Sequence, residues 1–288
     1  MSVNSAKMIK EDFGVIRDLE KKAVIIRKEV VRMTSNASSG HLGGSLSCLD
    51  ILVALYFHQL RHDPHNPYWE ERDRFVLSKG HAAPSLYVIL AHSGYFSKEE
   101  LVTFRNIDSR LQGMPDCKKT PGVEICSGSL GQGLSVALGM ALGFKLANKE
   151  NYVYVLLGDG ELNEGQIWEA AMFANHHKIA NITAIVDRNH GQNDGRTEVI
   201  MSMEPLAEKW SAFVWNVFKA DGHNIGEILD VLKRAKEYNS KPTVIIAETV
   251  KGKGISCVEG NDAYHAKCLP KDLVAQVEAE LDKRLEAL

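Results

Sequence analysis

The sequence predicts an α/β fold of three layers, in which helices cover both faces of a mostly parallel sheet. From Arg74 onward, short β-type runs alternate with helical stretches, and this order is typical of parallel strands joined by helical crossovers. The chain has 288 residues, of which 44% are hydrophobic and 25% charged, and that is enough to bury the core of one large domain. Without repeats or a low-complexity linker, one domain is predicted over residues 8–270, followed by a charged peripheral helix over residues 271–288.

The amino-terminal part is predicted to be helical. Apolar residues recur at helical spacing over residues 11–33, which predicts a long amphipathic helix. A loop of small residues, 38–45, separates it from a second apolar helix that ends near Leu60. A Pro-rich turn region over residues 62–73 then leads into the first strand.

Strands and helices alternate in the remainder of the chain. Strands are predicted over residues 74–77, 152–157, 182–186, 213–218 and 243–247. Helices are predicted to begin at Ala82, Leu134, Glu164, Ile225 and Lys271.

Charge and composition argue against several classes of partner. Lys and Arg total 34 against 37 Asp and Glu, for a net charge of −3, so the chain has no basic excess with which to bind a polyanion. The longest apolar run, residues 51–57, is far shorter than the roughly 20 residues that span a bilayer. The polar residues 1–12 contain no apolar signal core. We therefore expect a cytoplasmic protein without nucleic-acid or membrane partners.

The cysteines are expected to be reduced thiols. The chain has five, and none belongs to a Cys-x-x-Cys pair. An odd and scattered set argues against a disulfide framework or a zinc site.

Two predicted strands end in residues that suit a metal ion. Asp159, flanked by Gly158 and Gly160, follows one strand, and Asn189 follows the next. The 28 residues between Gly160 and Asn189 allow a helical crossover, so both side chains should meet at the carboxyl edge of the sheet. One carboxylate with one amide suits Mg²⁺ or Ca²⁺ that already carries a diphosphate, because more carboxylates would repel the phosphates. A carbonyl near Gly191 could complete the set; alternatively, the glycines mark only a turn and Asn189 only a cap.

Further motifs surround this pair in a fixed order. They are the runs at residues 39–41, 73–81, 120–124, 128–133 and 221–223. Together with Gly158-Asp159-Gly160 and Asn189, they resemble the transketolases, a family of thiamine diphosphate enzymes. The similarity spans about residues 8–270 and is to the amino-terminal, diphosphate-binding domain of that family, so it implies the thiamine diphosphate-binding fold.

The resemblance implies a role for individual positions. Asp159, Asn189 and the Gly191 carbonyl are similar to the ligands of the metal ion. A second set resembles the residues around the diphosphate and aminopyrimidine of the cofactor: His81, Gly128, Ser129, Leu130, Gly158, Asp159, Gly160, Glu161 and Asn189.

Catalytic roles are implied for His41, His265 and Glu164. The two histidines resemble active-site residues that contact the substrate and move protons, and an unperturbed His pKa near working pH suits that task. Glu164 matches a glutamate in a hydrogen-bond network between paired cofactor sites, although the helix dipole also favours an acid in a first turn. Lys251 is a candidate phosphate contact or an ordinary loop residue.

The implied substrate pocket contains His41, His265, Met114 and Asn193, and two of these depart from the family pattern. Met114 stands where the family usually has a histidine that contacts a donor hydroxyl, and Asn193 stands where an apolar residue often lies near the thiazolium. Because methionine cannot donate a hydrogen bond, we expect an altered donor preference. Neutral drift, or a partner residue that supplies the missing donor, is the alternative.

The resemblance also implies a partner. In the family, the glutamate that activates the aminopyrimidine belongs to the next domain, to which no part of this sequence is similar. This implies the amino-terminal subunit of a split, two-component transketolase, which would join a separate carboxy-terminal subunit in an α2β2 heterotetramer and self-associate when alone. The reaction would transfer a two-carbon ketol unit from a ketose donor to an aldose acceptor, with sugar phosphates as substrates. A related thiamine diphosphate lyase or synthase subunit with a different donor, or a non-catalytic cofactor-binding subunit, stays open.

Overall fold

The computed structural model describes the backbone of residues 3–288 and the side chains of residues 13–288. Met1 and Ser2, the start of the polar segment predicted to lack a signal core, lie outside the described residues. The helices are α1 (Val3–Asn36), α2 (Leu42–Ser47), α3 (Leu49–Ala54), α4 (Ala83–Ser93), α5 (Gln132–Leu146), α6 (Gly165–His176), α7 (Thr197–Ile200), α8 (Leu206–Ala212), α9 (Ile225–Glu237) and α10 (Lys271–Ala287). The strands are β1 (Arg74–Leu77), β2 (Val153–Gly158), β3 (Ile182–Arg188), β4 (Gly191–Gln192), β5 (Gly195–Arg196), β6 (Asn216–Asp221) and β7 (Thr243–Glu248).

Five strands form one parallel sheet in the order β1-β2-β3-β7-β6. The central strand β3 and its neighbour β2 are buried along their whole length, as strands covered on both faces must be. Along β2, Tyr154 and Leu156 face one apolar core while Val155 and Leu157 face the other, because successive side chains of a strand point to opposite faces. The predicted three-layer α/β fold is confirmed.

Each face of the sheet has its own helices. One core is shared with α1, α3, α4 and α9, and the other with α5, α6 and α8. Helix α10 packs on α1, where Val277 and Leu281 are buried and Lys28 forms an ion pair with Asp282. The division of the chain at residue 270 stays a prediction.

Several elements differ from the sequence prediction. Helix α1 extends beyond both ends of the helix predicted over residues 11–33, and the short elements β4, β5, α7 and α8 were not predicted. The second apolar helix is divided into α2, α3 and a π-helical turn at Leu55–Gln59. Strand β6 begins at Asn216 rather than at residue 213, because Val214 has a left-handed backbone with φ of 65° that an extended strand does not accommodate. Within residues 3–288, no helix is both long and apolar enough to cross a membrane.

Candidate functional site

A cleft of about 410 Å³ opens at the carboxyl ends of β2 and β3. The register of these strands pairs Gly158 with Asp187, so the turns that follow them lie side by side. Asp159 follows β2 directly and Asn189 follows β3, and both line the cleft. The sequence-predicted convergence of these two side chains therefore occurs at the edge where parallel α/β sheets bind ligands.

Asp159 is buried and held by the backbone of both turns. Its Oδ1 accepts a hydrogen bond from the amide of Gly160 at 2.8 Å, and its Oδ2 accepts one from the amide of His190 at 2.7 Å. Arg188 also donates to Oδ2, at 3.1 Å. Burial, followed by the nearby charge of Asp187, raises the pKa of the Asp159 carboxyl despite Arg188. The carboxylate is thus fixed in position where a bound cation would relieve an unfavourable charge.

Asn189 is oriented by a buried ion pair that the sequence analysis did not identify. Its Nδ2 donates to Asp187 Oδ2 at 2.9 Å, and its Oδ1 accepts from the amide of Gly191 at 3.1 Å. Asp187 also accepts from the ammonium of Lys79 and, at 2.6 Å, from the hydroxyl of Ser47. Burial works to raise the pKa of Asp187, but the charge and hydrogen bond of Lys79 outweigh it, so the pKa is lowered. The pair stays ionised and fixes the amide of Asn189.

Glu161 connects the turn after β2 to the loop before α5. Its carboxylate accepts hydrogen bonds from the Ser78 hydroxyl and from the amides of Gly131 at 2.8 Å and Gly158 at 2.9 Å. Burial raises the pKa of this carboxyl. Glu161, which was predicted to bind the cofactor, therefore holds together two loops that border the cleft.

Glycines bring the backbone close to the cleft. A Cβ added at Gly191 would lie 2.6 Å from Lys251 Nζ, and one added at Gly160 would lie 2.9 Å from Gln192 Cβ. Neither position has room for a side chain, because the side chains of Lys251 and Gln192 lie directly against the glycine backbone. One buried carboxylate, one amide, backbone amides and the ammonium of Lys251 make a donor set that fits a divalent cation together with a diphosphate.

Three imidazoles form a triangle at one side of the cleft. The ring centroids of His41 and His81 are 5.3 Å apart, those of His81 and His265 are 5.4 Å apart, and those of His41 and His265 are 5.9 Å apart. Burial, assisted by Lys251 and His41, lowers the pKa of His265 to about 4. Burial also lowers the pKa of His41, and with Lys79 it lowers that of His81 well below its usual value. All three rings are neutral near pH 7 and can accept or donate protons.

Unsatisfied or adaptable polar groups face this triangle. The Nδ1 atom of His41 is buried without a hydrogen-bond partner among the described residues. The ammonium of Lys251 lies 3.2 Å from His265 Nδ1 and 3.5 Å from Asp262 Oδ1. Burial lowers the pKa of Lys251. Because these contacts are long, the buried ammonium can still donate to an anionic ligand. This supports the role of phosphate contact considered for Lys251.

Met114 lies at the rim of the cleft and packs against the loop before α5. A Cβ added at Gly128, whose φ is 151°, would lie 3.3 Å from Met114 Cγ. The Met114 side chain is 37% exposed, so the thioether presents an apolar surface to whatever enters the cleft.

The structure collects most of the sequence-predicted residues in this one cleft. Those that line it are His41, His81, Met114, Gly128, Leu130, Gly158, Asp159, Gly160, Glu161, Asn189, Gly191, Asn193 and His265. Ser129 and Glu164 are exposed and lie outside its lining. Glu164 is the residue before α6, where its side chain makes no capping hydrogen bond. Its predicted role between paired sites is not tested by the single chain.

Residues that sequence reasoning missed also line the cleft. Lys79 belongs to the motif at residues 73–81, but no role was predicted for it. Gln192 and Asp194 follow Asn189 closely in sequence, and all three of these residues line the cleft. The signal that could have identified Lys79 is a lysine directly after a buried strand, because such a charge needs a buried partner.

Comparison with known proteins identifies similar sequences. Residues 19–284 match the family described as "Transketolase, thiamine diphosphate binding domain". The chain is 46% identical over 266 residues to the 6-deoxy-6-sulfo-D-fructose transketolase subunit SqwG of Clostridium sp., a match that covers 92% of this chain and 97% of that subunit. It is 40% identical over 273 residues to one of the subunits of the apulose-4-phosphate transketolase of Phocaeicola vulgatus, covering 95% of this chain and 97% of that relative.

Solved structures agree with these sequence matches. The crystal structure of transketolase from Campylobacter jejuni superposes with a TM-score of 0.87 at 36% identity, over 92% of this chain but only 42% of that one. The chain thus spans less than half the length of the transketolase to which its fold is compared.

Proposed function

The chain belongs to the transketolase family, and we propose that it is the amino-terminal subunit of a two-component enzyme that transfers a two-carbon ketol unit from a ketose to an aldose. The observation that carries this proposal is the cleft at the ends of β2 and β3, where Asp159 and Asn189 meet beside the three imidazoles. The thiamine diphosphate-binding domain is shown by the family match. A transferase of the transketolase type is the class to which the named relatives belong.

The protein's share of the chemistry is binding, orientation and proton movement. When bound, thiamine diphosphate would supply the carbanion that attacks the ketose carbonyl and carries the two-carbon fragment. Asp159, Asn189 and the Gly191 carbonyl would hold Mg²⁺ or Ca²⁺ against the diphosphate, and Lys251 would add a positive charge. His41 and His265 would move protons at the substrate oxygens, since both rings are neutral near pH 7.

A separate carboxy-terminal chain is part of the proposal. Subunits named as such in Clostridium and Phocaeicola are covered over 97% of their own length by this chain, which supports a two-component enzyme here too. In this arrangement each active site would be completed by the partner, which would supply the glutamate that activates the aminopyrimidine.

We further propose an α2β2 assembly in which α5 and α6 contact a second copy of this chain. Helix α5 carries one charged residue, Lys145, among its 15. Added Cβ atoms at Gly139 and Gly143 would meet nothing within 4 Å, and Leu146 and Met172 are 75% and 54% exposed. Glycine in a helix costs stability, and close approach by another chain would explain two glycines at open positions of α5. The face is mainly apolar, with Lys145 and Glu169 as exposed charges, and a twofold pair would bury the same patch on both copies.

A cytoplasmic location belongs to the proposal as well. The thiols of Cys117, Cys126 and Cys257 are free and exposed, and such thiols persist in reducing compartments.

The test is reconstitution. The chain alone, and the chain mixed with a candidate carboxy-terminal subunit, would be supplied with thiamine diphosphate, Mg²⁺, an aldose acceptor and four donors: xylulose 5-phosphate, fructose 6-phosphate, apulose 4-phosphate and 6-deoxy-6-sulfo-D-fructose. We expect ketol transfer only from the mixture. Turnover by the chain alone would contradict the two-component assignment. Turnover of a 2-oxo acid in place of every ketose would favour the lyase or synthase alternative, and cofactor binding without turnover of any donor would favour a non-catalytic subunit.

A further inference from the structure

Two exposed cysteines lie side by side outside the cleft. Cys117 Sγ and Cys126 Sγ are 3.4 Å apart although nine positions separate them in sequence, and both residues are exposed. Cys126 also donates a hydrogen bond to Asp116 Oδ1 at 3.3 Å. The five cysteines are scattered along the sequence, but the fold brings Cys117 and Cys126 into van der Waals contact. A disulfide needs the sulfurs to approach to about 2.05 Å, which is a short movement of two side chains.

The loop that carries the pair is anchored at its tip. Thr120 is buried, and its hydroxyl donates to the carbonyl of Arg110 at 2.9 Å. Glu124 forms an ion pair with Arg72. These contacts anchor the loop at Thr120 and Glu124, so the proximity of the cysteines follows from the fold of the loop, whereas Lys118 and Lys119 stay exposed.

The same loop is closed at its base beside the cleft. Met114 packs against Gly128, and both residues line the cleft. Cys117 follows Met114 by three residues, and Cys126 precedes Gly128 by two. The two cysteines therefore lie on opposite arms of the loop, between its base and its tip. A bond between them would therefore join the arms between an anchored tip and a base that borders the cofactor site.

A metal ion is the competing occupant of this cluster. The ligating atoms of Asp116, Cys117 and Cys126 lie within 4.8 Å of one another. Structural zinc sites have four protein ligands, and two thiolates at about 2.3 Å from a tetrahedral zinc would lie about 3.8 Å apart. The cluster has three ligands, and its sulfurs are closer together than that, at 3.4 Å. These features favour sulfur–sulfur chemistry.

We propose that Cys117 and Cys126 are a redox-active dithiol, a modification site at which a reversible disulfide cross-links the loop over residues 114–128. The oxidant is a low-molecular-weight disulfide. The thiolate of Cys117 attacks one of its sulfurs, forms a mixed disulfide and releases one small thiolate. Cys126 loses its proton to water, and its thiolate attacks the Cys117 sulfur, which forms the intramolecular disulfide and releases the second small thiolate. Both cysteines are oxidised, the small disulfide is reduced to two thiols, and the two cysteine protons go to those thiols.

The cross-link should stiffen the exposed segment between the two cysteines. Lys118 and Lys119 are exposed and lie inside the loop that the disulfide would close. Trypsin needs a locally extended substrate, so cleavage at these lysines should slow several-fold in the oxidised chain and recover on reduction.

The experiment uses the purified chain with oxidised glutathione as the probe. After oxidation, free thiols are alkylated, and the peptides are mapped by mass spectrometry with and without dithiothreitol. We expect a peptide linked through Cys117 and Cys126 to be the main product, and to disappear on reduction. It should be absent from Cys117→Ser and Cys126→Ser and present at full yield in Cys257→Ser, which removes an exposed thiol elsewhere. Tryptic cleavage at residues 118–119 should slow only in chains that form the link.

Two results would overturn the proposal. One is separate glutathione adducts on Cys117 and Cys126, in the same yield as on Cys257, without the linked peptide. The other is protection of both reduced thiols by added Zn²⁺, lost in Cys117→Ser, again without the linked peptide under oxidation; this would identify a metal site. Neither readout depends on cofactor, substrate or partner, so the result is independent of the proposed enzyme activity.

Discussion

The cleft and the α5–α6 face of this chain differ in what they bury: polar side chains are buried in the first, and apolar side chains are exposed on the second. Asp159 and Glu161 in the cleft, and Asp187 behind it, carry carboxyl groups that are almost completely buried, and each has several hydrogen-bond partners within the chain. On the α5–α6 face, Leu146 and Met172 are apolar and exposed, and Cβ atoms added at Gly139 and Gly143 of α5 would meet nothing within 4 Å. Buried polar groups with internal partners indicate a site that the chain builds by itself, whereas exposed apolar groups indicate a surface that another chain must cover. The comparison predicts that changes in the cleft impair cofactor binding, whereas changes on the face impair assembly.

The largest effect is expected from Asp159→Asn, which removes the carboxylate from the cleft but keeps an acceptor oxygen. Mg²⁺-dependent binding of thiamine diphosphate, measured by calorimetry in the presence of the partner, should fall by at least about 100-fold, because neutral ligands bind Mg²⁺ weakly. The melting temperature should change little by comparison, since burial disfavours the ionised carboxylate while its hydrogen bonds to Gly160, His190 and Arg188 favour it.

Asp194→Asn is the matched control, because Asp194 also lines the cleft but is exposed. Its cofactor affinity should stay close to that of the wild type. If Asp159→Asn instead lowers the melting temperature and leaves cofactor affinity unchanged, Asp159 is only a turn residue. The cleft would then not be a cofactor site that this chain builds by itself.

The sequence predicted the cleft better than it predicted what holds the cleft in place. Asp159 and Asn189 follow buried strands and are flanked by residues that mark turns, so local sequence places them at the sheet edge. Lys79 and Asp187 form their ion pair across 108 positions of sequence, and no local pattern records which strand ends become neighbours. The proximity of Cys117 and Cys126 was missed for the same reason, because contacts with distant parts of the fold anchor their loop.

The second prediction concerns the α5–α6 face. Val136→Glu places a charge on the exposed, uncharged side of α5, where Val136 is 40% exposed. Burying an unpaired carboxylate in an interface is strongly unfavourable, so the isolated chain should become monomeric in sedimentation velocity. Activity of the reconstituted enzyme should fall by about tenfold or more at low protein concentration.

Val102→Glu is the control for this surface. Val102 is 66% exposed but lies in the short helical turn Lys98–Thr103, away from α5 and α6. It should change neither sedimentation nor activity. Equal effects of the two substitutions would show that the α5–α6 face has no special part in assembly.

A smaller effect is expected at the rim of the cleft, from Met114→His. Histidine restores a hydrogen-bond donor where the thioether packs on Gly128, and one hydrogen bond to a substrate hydroxyl contributes about 1 kcal/mol. The ratio of kcat/KM for xylulose 5-phosphate to that for 6-deoxy-6-sulfo-D-fructose should rise by roughly fivefold in the reconstituted enzyme. If wild type already prefers xylulose 5-phosphate and the substitution changes nothing, Met114 does not set donor preference.

The last prediction concerns how stability depends on pH, and it tests whether the imidazole triangle is held neutral by the chain alone. The pKa of His265 is about 4 in the folded chain, against roughly 6.5 when unfolded. Between these values the unfolded state binds the proton and the folded state does not, so the free energy of unfolding falls as the pH is lowered from 7 to 5. His265→Gln removes this contribution, so the loss of stability between pH 7 and pH 5, from urea unfolding, should be smaller in the variant than in wild type. His41 and His81 have pKa values lowered in the same direction, so part of the pH dependence should persist. His65→Gln, at an exposed position, should leave the wild-type pH dependence unchanged. An identical pH dependence in His265→Gln and wild type would mean that the ring takes up a proton freely in the folded chain, and that the cleft needs its ligand or partner to keep the histidines neutral.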